Sequence, residues 1–404
     1  MAVDVRPVAD LDEFTEAFLA IGQYFAAEPK EERMKRFTES LPLDRMLAAR
    51  DDGRTIGGAG SFPLRMTVPG AQVPCAGVTV VGVYPTHRRR GVLRAMMRAQ
   101  LDDVRERGEP LAALWATEAQ IYGRFGYGMA SLQGEIELAR DRSAYAVPLE
   151  PESFPRIVDA EEAWHLLPPI HERWLAQTPG AFSRGESWWK YRVLDDPSEF
   201  RDGAVPKRFV VHERDGEGVA YAIYRHVPKF EAGAAKTTLR VLEAIAADPR
   251  ALAELWRYLL DVDWTETISA ELLPIDHPLF LLLAEPRRMR LRVGDGIWVR
   301  LVDVGAALSA RSYAEDGAVV FDVADEFVPV NAGRWKLEGG EARRTDAEPD
   351  LRLGVQELGS VYLGGFTFAQ LQRALRLEEL RPGAVARADA IFRTDRSPWC
   401  PEIF

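Results

Sequence analysis

The sequence predicts a mixed α/β chain in three consecutive sections. The first 130 or so residues alternate helix-patterned and strand-patterned runs, and residues from about 140 to 290 repeat the same type of alternation. From about 292 several strand-patterned runs follow one another, the signature of an α+β layer. A chain of 404 residues exceeds one ordinary core, so two or three domains are expected, with boundaries placed at 1–140, 141–290 and 291–404.

In the first section LDEFTEAFLAIGQYF carries Leu11, Phe14, Phe18, Leu19 and Ile21 at helical spacing, and Asp10, Asp12 and Glu13 suit a helix start. The stretch from Arg45 to Pro85 then sets β-prone runs between DDG, GG and PG turns, the pattern of an antiparallel meander. VTVVGVYP, at 78–85, is its most strand-like run and leads into three arginines. After them Leu93, Met96, Met97, Leu101 and Val104 form one helical stripe, which Gly108 stops. The two methionines are read as core packing. LAALWAT, at 111–117, reads as a short buried strand.

In the middle section PRIVDAEEAWHLLPPIHERWLAQ, GESWWKYRVL and ALAELWRYLLDVDW read as helices, and FVVHERDGEGVAYAIYRHV as a hairpin around DGEG. The order resembles that of the first section without its arginine loop, as in a second copy of the fold that has lost its ligand site. RVGDGIWVRLVDVGAALSAR opens the strand-rich last section, and PWCPEIF closes the chain, stiffened by Pro398 and Pro401.

Composition narrows the function classes. A net charge of −11 is unfavourable for general nucleic-acid binding and mildly favours cationic ligands. The acidic N-terminus lacks the pattern of a secretory signal, and no run approaches 18 uninterrupted apolar residues. Cys75 and Cys400 are too few for a disulfide framework and have no metal-binding spacing, which points to a reducing cytoplasm and no metal. His165, His171, His212, His226 and His277 likewise show no ligand spacing, and G-x-S-x-G is absent, so metallohydrolase and serine-hydrolase readings are set aside.

The chemistry concentrates at VGVYPTHRRRGVLRAMM. A strand end, a short turn, an R-R-x-G run and a helix start together make an anion site. The first N–H groups of a helix lack internal partners and sit at the positive end of its dipole. Gly91 allows close backbone approach to a pyrophosphate, and Arg88, Arg89 and Arg90 serve the outer charges. His87, beside the run, is a phosphate helper or a capping, solvated residue.

This stretch resembles motif A of the GCN5-related N-acetyltransferases (GNAT), whose (Q/R)-x-x-G-x-(G/A) loop holds the pyrophosphate of acetyl-CoA; Leu93 departs from the usual small last residue. THRRRGVLRAMM, LAALWATEAQIYGRFGYG at 111–128 and the PEIF ending together resemble the Eis (enhanced intracellular survival) family of bacterial acetyltransferases. The resemblance implies two tandem GNAT-like domains, the second without cofactor, followed by a sterol-carrier-protein-like (SCP2-like) α+β domain. It also implies these roles: Val81, Gly82 and Val83 at the pantetheine arm, Arg89, Arg90, Gly91, Val92, Leu93 and Arg94 at the phosphates, and Thr117 and Glu118 bordering the cofactor. Tyr122 matches the family's general acid, and the main-chain carboxylate of Phe404 its general base.

By resemblance the acceptor is a primary amine of an aminoglycoside-like or polyamine-like cation or of a lysine side chain, and the assembly is a homohexamer, a trimer of dimers. The residues also have plainer readings. Tyr122 and Tyr127 could be aromatic packing in a glycine-punctuated turn, and Phe404 a frayed end, although the apolar Ile403-Phe404 pair favours docking. Glu402 is either a surface acid or a negative charge where an amine enters, and Glu28 is a weaker candidate of the same kind. The competing function is a non-enzymatic CoA- or lipid-binding protein that uses its last domain. Longer acyl donors are the alternative within enzymes.

Overall fold

Residues 3–24 and 31–404 are described by a computed structural model, so Glu28 lies outside the described residues. The first section runs β1 (Asp4–Pro7), α1 (Leu11–Tyr24), α2 (Glu31–Thr38), β2 (Met46–Asp51), β3 (Arg54–Val68), β4 (Ala71–Val83), α3 (Val92–Glu106), β5 (Leu111–Trp115), the single turn α4 (Ala119–Tyr122) and β6 (Gly128–Met129). The middle section follows with β7 (Leu132–Ala139), β8 (Phe154–Val158), α5 (Ala160–Leu175), α6 (Glu186–Trp188), β9 (Arg208–Arg214) and β10 (Glu217–Val227). A small hairpin, β11 (Phe230–Glu231) and β12 (Ala234–Ala235), precedes β13 (Thr238–Ala246), α7 (Pro249–Asp261), β14 (Thr267–Leu273), α8 (Leu279–Leu282) and β15 (Arg292–Asp295). The last section comprises β16 (Ile297–Leu301), α9 (Val304–Ser309), β17 (Ala318–Ala324), β18 (Gly333–Glu338), β19 (Glu341–Arg344), β20 (Leu351–Gly354), α10 (Val355–Tyr362), α11 (Phe368–Arg373), β21 (Leu377–Glu379) and α12 (Ala384–Phe392). Among the described residues no helix is long and apolar enough to cross a membrane.

Local chemistry explains most of these boundaries. The meander of β2, β3 and β4 turns where Asp52, Gly53 and Gly70 adopt positive φ, and α3 stops at Gly108, also left-handed. The run PRIVDAEEAW, read as helix throughout, divides instead. Asp159 accepts the N–H of Glu162 as an N-cap, so α5 begins at Ala160 and the preceding PRIV falls in strand β8.

The chain forms two compact units. One contains residues 1–131, 297–398 and 403–404; the other contains 132–296 and 399–402. In the first unit a seven-stranded sheet runs β1-β2-β3-β4-β5-β16-β6, so the last section supplies a strand between β5 and β6. β16 pairs antiparallel with β5, Ile297 opposite Trp115 and Leu301 opposite Leu111. A five-stranded sheet, β19-β18-β17-β20-β21, belongs to the last section alone. The second unit carries its own seven-stranded sheet, β15-β7-β14-β13-β10-β9-β8.

One irregularity in the first sheet prepares the site. β4 and β5 pair in parallel only from Cys75 to Gly77 against Leu111 to Ala113. Beyond that, Val80 takes a left-handed conformation and the register against β3 slips between Gly58 and Gly60. Such a bulge bends the strand that carries it. The strand ends therefore part, and Val81 to Val83 have no ladder to β5 among the described residues. Beside this opening the core packs Val83, Met96, Met97 and Leu101 with Trp298, Val302, Phe327 and Val328.

Candidate active site

The opening between β4 and β5 leads into a cavity of about 390 Å³ lined by Val81, Gly82, Val83, His87, Arg88, Arg89, Gly91 to Arg94 and, across from them, Glu118, Ile121, Tyr122, Arg124 and Phe125, with Tyr24 at the end of α1. The arginine loop is thus one wall, and the start of the IYGRFGYG run is the other.

The loop between Tyr84 and Gly91 is built to expose backbone. A single 3-10 turn spans Pro85–His87, and then Arg89 and Gly91 adopt φ of 61° and 83°. A left-handed arginine is strained by about 1–2 kcal/mol, and such strain concentrates at functional sites. Gly91 is the N-cap of α3, without a side-chain cap, and the first turn carries no acidic residue. The N–H groups of Val92, Leu93 and Arg94 therefore stand at the dipole's positive end without a side-chain acceptor from the cap. A Cβ at Gly91 would meet no atom of the protein within 4 Å. The backbone requires a left-handed residue there, and the space in front of it is open to a ligand. A phosphate fits this donor set, because its oxygens accept what the helix start leaves unmet.

Opposite the loop, Tyr122 is 8% exposed and stands edge-on to Tyr127, ring centroids 6.0 Å apart. Burial, reinforced by Tyr24 and Glu118 nearby, pushes its hydroxyl up to about 12. The phenol accordingly keeps its proton across neutral and mildly alkaline pH. Glu118 accepts a hydrogen bond from the Tyr24 hydroxyl at 2.5 Å, and the Arg88 guanidinium lies 5.7 Å from the centre of the Tyr24 ring. His87 is drawn toward its neighbours, its Nδ1 2.9 Å from the Thr86 hydroxyl and its Nε2 3.8 Å from Asp51.

Of the residues singled out from sequence, Val81, Gly82, Val83, Arg89, Gly91, Val92, Leu93, Arg94, Glu118 and Tyr122 meet in this one cavity, whereas Arg90 and Thr117 are exposed outside its lining. Phe404 is buried, its ring packed against the position of Gly77 on β4, and it too lies outside the lining; Ile403 beside it is exposed. Docking is thus done by Phe404 and not by the apolar pair. Glu402 is not a surface acid. It is 7% exposed, and its Oε1 accepts from Arg184 Nε at 2.5 Å within the second unit. Burial raises its carboxyl above the usual range despite that partner.

Sequence reasoning missed Tyr24, Ile121, Arg124 and Phe125 as lining residues. The last three lie within the quoted motif and could have been found by treating it as a wall. Tyr24 carries no local signal, since its place depends on how α1 packs.

The acetyltransferase (GNAT) domain family matches residues 4–130, a further acetyltransferase (GNAT) domain family matches 180–301, and the sterol carrier protein domain family matches 304–401. An uncharacterized N-acetyltransferase of Streptomyces coelicolor is 43% identical over 399 residues, covering 93% of each chain. The N-acetyltransferase Eis of Mycobacterium tuberculosis is 35% identical over 372 residues, covering 88% of each. The crystal structure of Eis1 from Mycobacterium abscessus superposes with a TM-score of 0.86 at 36% identity, over 99% of this chain and 100% of that one. The chain belongs to the Eis family of GNAT N-acetyltransferases, with two GNAT domains followed by a sterol-carrier-like domain.

Proposed function

We propose that this protein transfers the acetyl group of acetyl-CoA directly to a primary amine of a cationic acceptor, aminoglycoside-like, polyamine-like or a lysine side chain. The observation that carries the reading is the single cavity in which an open strand end, an uncapped helix start and a buried, protonated tyrosine face one another. Val81 to Val83 offer backbone groups to the pantetheine arm, Arg89 to Arg94 hold the phosphates, with Arg90 reaching them from outside the cavity lining, and Glu118, together with Thr117 outside the lining, borders the cofactor.

The reaction needs two proton movements. The acceptor ammonium must lose a proton before its nitrogen can attack the thioester carbonyl carbon, and the Phe404 carboxylate takes it, directly or through water. The carbon–sulfur bond then breaks, and the Tyr122 hydroxyl protonates the departing thiolate. The nitrogen sheds its second proton to solvent as the amide forms. The tyrosinate recovers a proton from solvent, and the Phe404 carboxyl releases the one it took, which closes the cycle with one proton released overall. A phenol raised to about 12 is still protonated at neutral and mildly alkaline pH, so its proton is present when the thiolate departs. By resemblance the working assembly is a hexamer, testable by light scattering on the eluted protein.

The test follows thiol release from acetyl-CoA with a panel of amines. Tyr122→Phe is expected to lower kcat by about 100-fold with little change in the KM for acetyl-CoA, the size of one general acid. A chain extended by a few residues past Phe404 is expected to lose activity similarly. If the extended chain is as active as the native one, the terminal carboxylate is not the base. If acetyl-CoA binds but no amine turns over, the non-enzymatic binding reading replaces this one.

A further inference from the structure

We propose that Phe327, carried by the sterol-carrier-like section, is a positioning residue for the coenzyme's phosphates. Its ring holds the arginines of α3 in place, so that Arg94 faces the cavity already organised. The inference rests on the assignment of that cavity to acetyl-CoA.

Arg94 and Arg98 stand one turn apart on α3, and their guanidinium carbons lie 5.2 and 4.2 Å from the centre of the same Phe327 ring. Two like charges at this spacing repel, and each long side chain has many rotamers to lose. An aromatic face attracts both through its negative quadrupole and limits where they can go. Arg94 lines the cavity; Arg98 does not. The ring also stands edge-on to Phe125 of the opposite wall, centroids 4.9 Å apart. One side chain thus underlies the phosphate wall and the tyrosine wall together.

The loop that presents Phe327 is fixed by its own sequence, DEFVPVN. Asp325 Oδ1 accepts the N–H of Val328 at 2.9 Å, while its Oδ2 accepts Arg300 Nη2 at 2.5 Å and Asn331 Nδ2 at 3.1 Å. All four of these side chains are buried, and Phe327 is 3% exposed. A fully bonded carboxylate in a dry setting holds its loop rigidly. The ring is therefore a fixed support and not a mobile lid. Its position in the last section explains why no motif near the arginine run reveals it.

A packing role alone would depend on the shape of the ring, whereas a positioning role depends on its charge distribution. The test is to incorporate phenylalanine bearing one, two and three fluorines at position 327, which withdraws the quadrupole while nearly preserving volume. Binding of CoA is then measured by calorimetry alongside thermal stability. The expected result is a stepwise loss of CoA affinity, roughly three- to tenfold across the series. The loss should appear in the KM for acetyl-CoA and not in kcat, and should vanish in an Arg94→Met background. A flat affinity series in a chain that binds CoA overturns the proposal, and so does an equal loss in the Arg94→Met background. Failure of the unsubstituted chain to bind CoA would instead sink the assignment of the cavity, and the proposal with it.

Discussion

Gly91 and Gly126 share a left-handed backbone, φ 83° and 84°, for different reasons. At Gly91 a methyl group would meet open space, so Gly91→Ala should cost only the conformational strain, about 1–2 kcal/mol, read as a small shift of the denaturant midpoint. At Gly126 the same methyl group would run into the Arg300 guanidinium and the Val355 side chain. Arg300 is fully buried against Asp325 and has little room to move. Gly126→Ala should therefore cost clearly more, about 3–5 kcal/mol, and equal effects of the two substitutions would refute the steric argument. Placement at the cavity was legible in sequence where it depended on near neighbours or on a matched motif. The places of the arginine run and Gly91 at the cavity were readable because a strand, a turn and a helix adjoin them, and that of Tyr122 because it lies in the motif that carries the family resemblance. Tyr24, Phe327 and Arg300 were not, because each acts on residues far along the chain.

The tail segment Trp399–Glu402 is held by an ionic cluster of the second unit. Arg184 bonds Glu402 and, through both terminal nitrogens, Glu243 on β13; the Tyr221 hydroxyl of β10 adds a bond of 2.5 Å to Glu243. His171 of α5 lies 3.9 Å from Glu402, and burial together with Arg184 keeps it uncharged. Arg184→Met would strand two buried carboxylates and should cost about 3–5 kcal/mol, whereas replacing Arg184, Glu243 and Glu402 together by apolar residues should recover much of it. Thermal unfolding of the single and triple variants checks this, and a triple variant as unstable as the single one would contradict it. Elements were legible in the same uneven way. The meander, α3 and the DGEG hairpin follow from periodicity and turn residues, but PRIV was misread because only the Asp159 cap divides strand from helix. That GIWVRLV forms a strand is visible in its residues. That it lies between β5 and β6 is not, since pairing across some 180 residues leaves no local trace.

At the scale of the molecule, the first and last sections share one sheet and one core. A chain ending at Gly296 would leave one edge of β5 unpaired and remove Trp298, Val302 and Phe327 from beside Met96 and Met97. Such a chain is expected to be aggregation-prone and to bind a hydrophobic dye, without the cooperative transition of the full protein. Residues 132–296 keep their own sheet, so the first section is followed by hydrogen exchange of its amides, and undiminished protection there would show that it stands alone. The glycines of IYGRFGYG acquire a second meaning here. A Cβ at Gly123 would press on Gln356, at Gly126 on Arg300, and at Gly128 on the backbone of Gln356 and Ser360. Every one of those obstacles comes from the last section. Those three glycines are therefore the imprint of a neighbour, so grafting residues 119–130 onto an acetyltransferase without that section would import three weak points along with the tyrosine.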